Sequence, residues 1–238
     1  SSGNVYIAGQ YTANFLIYNA DGNLAVIPTL LIGTSTDCFL VKYNSSGTAQ
    51  WAARQTSTGA SDSGNAVATD TSGNVYIAGQ YGAALTIYNA NATTTLGTTL
   101  AIGTASDSFL IKYDSSGTAQ WAARQTSGST GDFANGVFTD SFGNVYIAGQ
   151  YGAALTIYNA NTTAFGTTLA ITTNPDCFLI KYDSSGAVQW AARQAGAGTS
   201  DVSTGVTVDS NGNAYIAGYY NSTTFTAYNA NGSNFGVT

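Results

Sequence analysis

Apolar and polar positions along the chain fall into short runs separated by small turn residues. Residues 66–70 and 74–78 read as two strands on either side of Asp70-Thr71-Ser72-Gly73. A type I turn followed by a glycine at positive φ closes such a hairpin, because only glycine adopts that conformation freely. Aspartate at the first position can accept a hydrogen bond from the backbone two residues on. The same chemistry recurs at 44–47, 114–117, 140–143, 183–186 and 209–212, so six hairpin turns are expected. In the hairpin over 109–124, a glycine bulge is expected to set Tyr113 opposite Ala119 and Ile111 opposite Trp121. Both faces are then largely apolar, with Phe109, Ile111, Tyr113 and Trp121 on one and Leu110 and Ala122 on the other. Strands buried on both faces lose the in/out alternation. A weaker strand pair is read at 85–89 and 99–102, and in the first copy it tightens around Asn19-Ala20-Asp21-Gly22. Apolar residues at three- and four-residue spacing with capping signals do not occur, so no helix is expected.

These elements repeat. GNVYIAGQY begins at Gly3, Gly73 and Gly143 and returns as GNAYIAGYY at Gly212, with offsets of 70, 70 and 69 residues. Trp51, Trp121 and Trp190 keep the step inside QWAARQ, as do Lys42, Lys112, Lys181 and Arg54, Arg124, Arg193. A fixed period of this kind decides the architecture before any other feature. The chain reads as one array with repeats 1–70, 71–140 and 141–209 and a partial repeat 210–238.

Composition changes the picture in three ways. The 238 residues are 44% hydrophobic and only 8% charged, too apolar for a disordered chain. The net charge of −6 argues against nucleic acid, which requires clustered lysine and arginine. No apolar run approaches the ~20 residues that span a bilayer, so membrane insertion is not expected. Scarce lysine, absent glutamate and abundant Thr, Asn and Ser suggest an extracellular or surface location. The start in mid-motif suggests a piece of something longer.

The residues Asp107, Phe109, Lys112, Gly117, Trp121, Gly136, Asp140, Gly143, Asn144, Tyr146 and Gly149, with counterparts in the other copies, carry a resemblance to the SBBP-type β-propeller repeat family. The resemblance implies an all-β fold of four-stranded blades, and secreted or surface proteins that are often large. It implies little about activity. The Tyr-Asn-Ala-Asn segment departs from the family pattern, replacing an irregular proline-containing linker. Counting strands on this basis gives three complete four-stranded blades, an unpaired first strand at 4–10 and an extra middle segment at the end. Propellers close with ~4–8 blades. The array is therefore expected to be incomplete, or to be completed by further chain, adjoining blades or self-association through residues 4–10 or 223–229.

Candidate chemistry is sparse. With no histidine, neither a Ser-His-Asp nor a Cys-His site can be built from this chain. No catalytic residue and no cofactor is expected. Calcium remains conceivable at Asp62, Asp132, Asp201 and Asp21, although none sits in an Asp-x-Asp-x-Asp cluster. Cys38 and Cys177 occupy the same place in the first and third copies, where Ser108 stands in the second, and read as small buried side chains. Trp51, Trp121 and Trp190 are expected to be mostly buried. The middle segments supply the candidate contact residues Tyr18, Tyr88, Tyr158, Tyr228, Asn89 and Asn159. Aromatic rings beside asparagines can stack on a sugar and hydrogen-bond to it; the alternative is packing between blades. Five Asn-x-Ser/Thr sequons, at Asn44, Asn91, Asn161, Asn221 and Asn231, matter only where the source glycosylates secreted proteins. Two functions stay open: a non-enzymatic extracellular or surface scaffold (cell-surface, matrix-like or virion-surface), and a lectin-like recognition or adhesion module that uses the middle hairpins to bind glycans.

Overall fold

The computed structural model describes residues 3–90, 93–128, 131–172, 175–198, 200–221 and 223–234. All six expected turns form. In each, the glycine N–H donates to the carbonyl of the first turn residue, and the glycine φ lies between 75° and 84°. Asp70, Asp114, Asp140, Asp183 and Asp209 also accept from the backbone two and four residues on, as Asn44 does in the first turn.

The described residues are all β, with no helix among them. In chain order the strands are β1 (Val5–Tyr11), β2 (Asp37–Tyr43), β3 (Ala49–Thr56), β4 (Ser63–Thr69), β5 (Val75–Tyr81) and β6 (Leu85–Tyr88). Then come β7 (Thr95–Leu100), β8 (Asp107–Tyr113), β9 (Ala119–Thr126), β10 (Phe133–Thr139), β11 (Val145–Tyr151) and β12 (Leu155–Tyr158). The last six are β13 (Ala164–Leu169), β14 (Asp176–Tyr182), β15 (Val188–Gly196), β16 (Asp201–Val208), β17 (Ala214–Tyr220) and β18 (Phe225–Ala227).

The strands group into antiparallel blades, and the grouping corrects the expected count. Two blades have all four strands, β4-β5-β8-β9 and β10-β11-β14-β15, flanked by a three-stranded blade β1-β2-β3 and a two-stranded blade β16-β17. The turns at 44–47 and 70–73 do close hairpins, but the hairpins belong to successive blades. The GNVYIAGQY strand pairs instead with the DxFLxKY strand beyond the middle segment, as Val75↔Tyr113 to Tyr81↔Asp107. The segment at 4–10 is therefore not unpaired, since β1 lies along β2 from Val5↔Tyr43 to Tyr11↔Asp37. Likewise 223–229 contains β18, which pairs internally with β15.

The middle segments of the second, third and fourth blades reach back to the preceding blade. The hairpin β6-β7 extends the first sheet by pairing β6 with β3, and β12-β13 extends the second by pairing β12 with β9. The second, third and fourth blades are thus each sewn to their predecessor by main-chain hydrogen bonds as well as by packing.

A second correction concerns register. Lys112 lies opposite Trp121 and Ile111 opposite Ala122, because the pairing shifts by one residue between Lys112 and Tyr113. Such a bulge turns later side chains to the other face. Trp121 therefore joins Leu110 and Lys112 and faces the next blade. The expectation of apolar faces on both sides holds. One core joins Phe109, Ile111 and Tyr113 to Leu40, Trp51 and Ala53 of the blade before, and another joins Tyr76, Leu110 and Ala123 to Ile147, Phe178 and Tyr182 of the blade after. The innermost strands β4, β10 and β16 follow one another side by side, and β1, the counterpart of β5, lies against β4. Asn65 Nδ2 donates to the Ala134 carbonyl at 3.1 Å and Asn135 Nδ2 to the Ser203 carbonyl at 3.0 Å.

Candidate interaction surface

The residues expected to meet a ligand lie in the middle hairpins, and the structure commits most of them to neighbouring blades. Leu85 and Ile87 point into the core, which turns Thr86 and Tyr88 outward along the pleat. The Tyr88 ring then lies over the Arg54 guanidinium at 4.3 Å. Tyr158 covers Arg124 at 4.2 Å and Tyr228 covers Arg193 at 4.0 Å. These are cation–π contacts between consecutive repeats. The same guanidinium groups donate to the carbonyls of Leu31, Ala101 and Ala170. Asn89 accepts from the Ala119 N–H and Asn159 from the Val188 N–H, each at 2.8 Å. Tyr18 stands apart: it is 51% exposed, and no arginine covers it among the described residues.

The arginines were not picked out as contact residues from the sequence. Their signal was present, since Arg54, Arg124 and Arg193 keep the same spacing to Tyr88, Tyr158 and Tyr228 to within one residue. Lysine and tryptophan form a second set of links. Lys42 Nζ and Trp51 Nε1 both donate to the Ser115 carbonyl, at 2.9 and 3.1 Å. Lys112 and Trp121 do the same to Ser184, at 3.0 and 3.2 Å. The acceptors belong to the turn of the next blade. The expectation of buried indoles holds for Trp51, at 8% exposed. Trp121 and Trp190 are only half-buried, although all three tryptophans sit beside the same register shift.

Three sequon asparagines act as turn caps, while the Asn221 N–H donates to the Ser200 carbonyl at 3.0 Å. Asn44, Asn161 and Asn231 each accept from the backbone N–H and hydroxyl of the residue two positions on. Asn91 lies outside the described residues. Cys38 and Cys177 are buried free thiols, and Ser108 in the equivalent place donates to Gln125 Oε1 at 2.6 Å.

The calcium candidates Asp62 and Asp132 are wholly buried, each beside a second buried aspartate. The Asp62 N–H donates to the Thr36 carbonyl and the Asp132 N–H to the Ser106 carbonyl, setting them next to Asp37 and Asp107. Asp201 is set next to Asp176 in the same way through the Pro175 carbonyl. Ser57 and Ser127 hydroxyls donate to Asp62 and Asp132 at 2.8 and 2.7 Å. No third acidic, cysteine or histidine ligand converges on these pairs among the described residues. Asp21 caps its own exposed turn through Asn23.

Burial pushes the carboxyls of Asp62 and Asp132 up to about 7 and that of Asp107 to about 6, with the neighbouring aspartate adding to the first two. A carboxyl raised in the folded state stabilises the fold fully below its unfolded value, near 4, and loses that contribution as pH rises through the folded value. The turn aspartates Asp114, Asp140 and Asp183 move the other way, lowered by the hydrogen bonds they accept. The expected result is a Tm that peaks near pH 4–5 and falls on going to pH 8. The loss should be about 1–2 kcal/mol for each of the pairs Asp37–Asp62 and Asp107–Asp132 after allowance for solvent screening. Thermal unfolding across that range checks this; a profile that rises towards pH 8 would contradict it.

Blades stacked face to face through their cores, tied by side chains that recur once per repeat, define a β-propeller repeat array. The SBBP beta-propeller repeat matches residues 50–80, 120–150 and 189–225, and the chain is built from repeats of that kind. Each match runs from a QW strand of one blade into the first two strands of the next. An uncharacterized WD repeat-containing protein of Acanthamoeba polyphaga mimivirus is 33% identical over 217 residues, which cover 84% of this chain. The chain spans 16% of that relative's length.

Proposed function

We propose that the chain is a non-enzymatic scaffold, a run of propeller blades within an extracellular or surface-exposed structure. One observation carries this reading: the recurring lysines, arginines and tryptophans and the tyrosines of the middle segments are spent on joining blades. Lysine and tryptophan hold the next turn, arginine holds the next tyrosine, and asparagine holds the next strand. The absence of histidine and the burial of the aspartate pairs support the non-enzymatic part. The composition supports the location. Recognition of glycans by the middle hairpins is favoured only at Tyr18, whose ring is uncovered.

A glycan-array screen of the 238-residue chain separates the two readings. The scaffold reading expects no saturable binding. Binding that saturates and disappears on Tyr18→Ala would replace it with the recognition reading.

A further inference from the structure

Strands β5, β11 and β17 carry nearly the same sequence, VYIAGQY, VYIAGQY and AYIAGYY, yet they have different surroundings. Each pairs on one side with an innermost strand through the same bulge. On the other side β5 is covered by β8 and β11 by β14, while the corresponding edge of β17 has no strand among the described residues. Tyr76 and Tyr81 are fully buried, whereas their counterparts Tyr215 and Tyr220 are 54% and 58% exposed. A groove of about 710 Å³ opens there between β17, β15 and the segment after β18.

The lining of that groove matches, position by position, the contacts that β8-β9 and β14-β15 make elsewhere. Gln55 and Gln125 donate to the hydroxyls of Tyr113 and Tyr182, both at 2.7 Å. Gln194 holds the equivalent place, is 7% exposed and lines the groove. Asn89 and Asn159 accept from the first strand residue after the SSG turn, and Ala90 and Ala160 donate to the turn glycine carbonyl. Their counterparts Asn229 and Ala230 line the groove. Ser115 and Ser184 lie 3.6 Å from where a Cβ would stand on Gly73 and Gly143, while nothing lies within 4 Å of the same point on Gly212. Trp190, whose counterparts hold the next turn serine, lines the groove as well.

From this we infer that the groove is a docking site for one β-hairpin of the sequence kind D-x-F-L-x-K-Y-D-S-S-G-x-x-Q-W, supplied by a further repeat of the same polypeptide. Its first strand lies antiparallel to β17, with aspartate opposite Tyr220, phenylalanine opposite Gly218 and the first tyrosine opposite Ala214, as in the three internal pairings. The phenylalanine ring packs where Phe109 packs over Gly79, 2.9 Å from that residue's would-be Cβ. The tyrosine hydroxyl accepts from Gln194. The turn serine carbonyl accepts from Trp190 Nε1 and Lys181 Nζ. Three anchors, at phenylalanine, tyrosine and the turn, fix register as well as affinity, the usual division of labour when a strand adds to a sheet edge. The inference deepens the scaffold reading and rests on it, because it says how the array is extended.

The test is a synthetic peptide of residues 107–121, which carries every anchor and no cysteine. It is added to the intact 238-residue chain and followed by calorimetry and amide hydrogen exchange. Saturable binding is expected, with exchange slowed at least tenfold over 214–220. A peptide with Phe109→Ala should bind at least tenfold more weakly, and one with Tyr113→Phe severalfold more weakly. Gln194→Ala in the chain should remove the difference between the unsubstituted peptide and the one carrying Tyr113→Phe. No protection over 214–220, or equal binding by a scrambled peptide, overturns the inference. So does protection of 214–220 before any peptide is added together with a doubled mass in solution, because a second copy would then be the occupant. Glycan binding is read in a separate assay, so either proposal can fail without the other.

Discussion

Gly149→Ala should remove the cooperative unfolding of the third blade and cost at least about 3 kcal/mol. A Cβ on Gly149 would run into the Phe133 carbonyl oxygen across the strand pair and stand 2.8 Å from the Phe178 ring. A side chain can rotate away from such a contact, but a backbone carbonyl inside a sheet cannot without breaking the β10–β11 pairing. The change adds one methyl group and removes none, so the effect is overpacking alone. Urea denaturation monitored by fluorescence and far-UV dichroism checks it. A variant that unfolds at the wild-type midpoint would mean that the strands are spaced more widely than described.

The second large effect is expected at Trp51. Its indole packs into the core between the first two blades, lies over Gly117, and donates to the Ser115 carbonyl. Trp51→Ala should cost about 3–5 kcal/mol, the range for emptying an aromatic core position. Trp190→Ala should cost clearly less, because Trp190 is half-buried and looks into the open groove. Equal losses at the two positions would show that burial against the next blade is not what stabilises the indole.

The contrast between these tryptophans shows what could be read from the sequence and what could not. The six turns were legible because each depends on a few adjacent residues: an aspartate or asparagine that caps the turn and a glycine that takes positive φ. The period was legible because Trp, Lys and Arg mark it in register. The resemblance to propeller repeats rested on the same residues. Blade boundaries were not legible, because strand pairing is decided by long-range contacts. A tight turn joins strands that are neighbours in sequence, whereas β5 and β8 are joined across the middle hairpin. The one-residue shift between Lys112 and Tyr113 was hidden for a similar reason: a bulge within the strand leaves no marker as clear as the turn glycine. The middle tyrosines suit either ligand contacts or packing on sequence grounds. Only the placement of Arg54, Arg124 and Arg193 against Tyr88, Tyr158 and Tyr228 gives them a partner.

The claim that the repeated polar and aromatic residues exist to join blades is tested most directly by a double-mutant cycle on Arg124 and Tyr158. The guanidinium lies 4.2 Å from the ring centroid, and the two residues belong to consecutive repeats. Stability is measured for the chain itself, Arg124→Ala, Tyr158→Ala and the double variant. Packing between blades predicts a favourable coupling of about 0.5–2 kcal/mol, the range for a partly desolvated cation–π pair. A coupling indistinguishable from zero would contradict it and return Tyr158 to the set of residues available for a ligand.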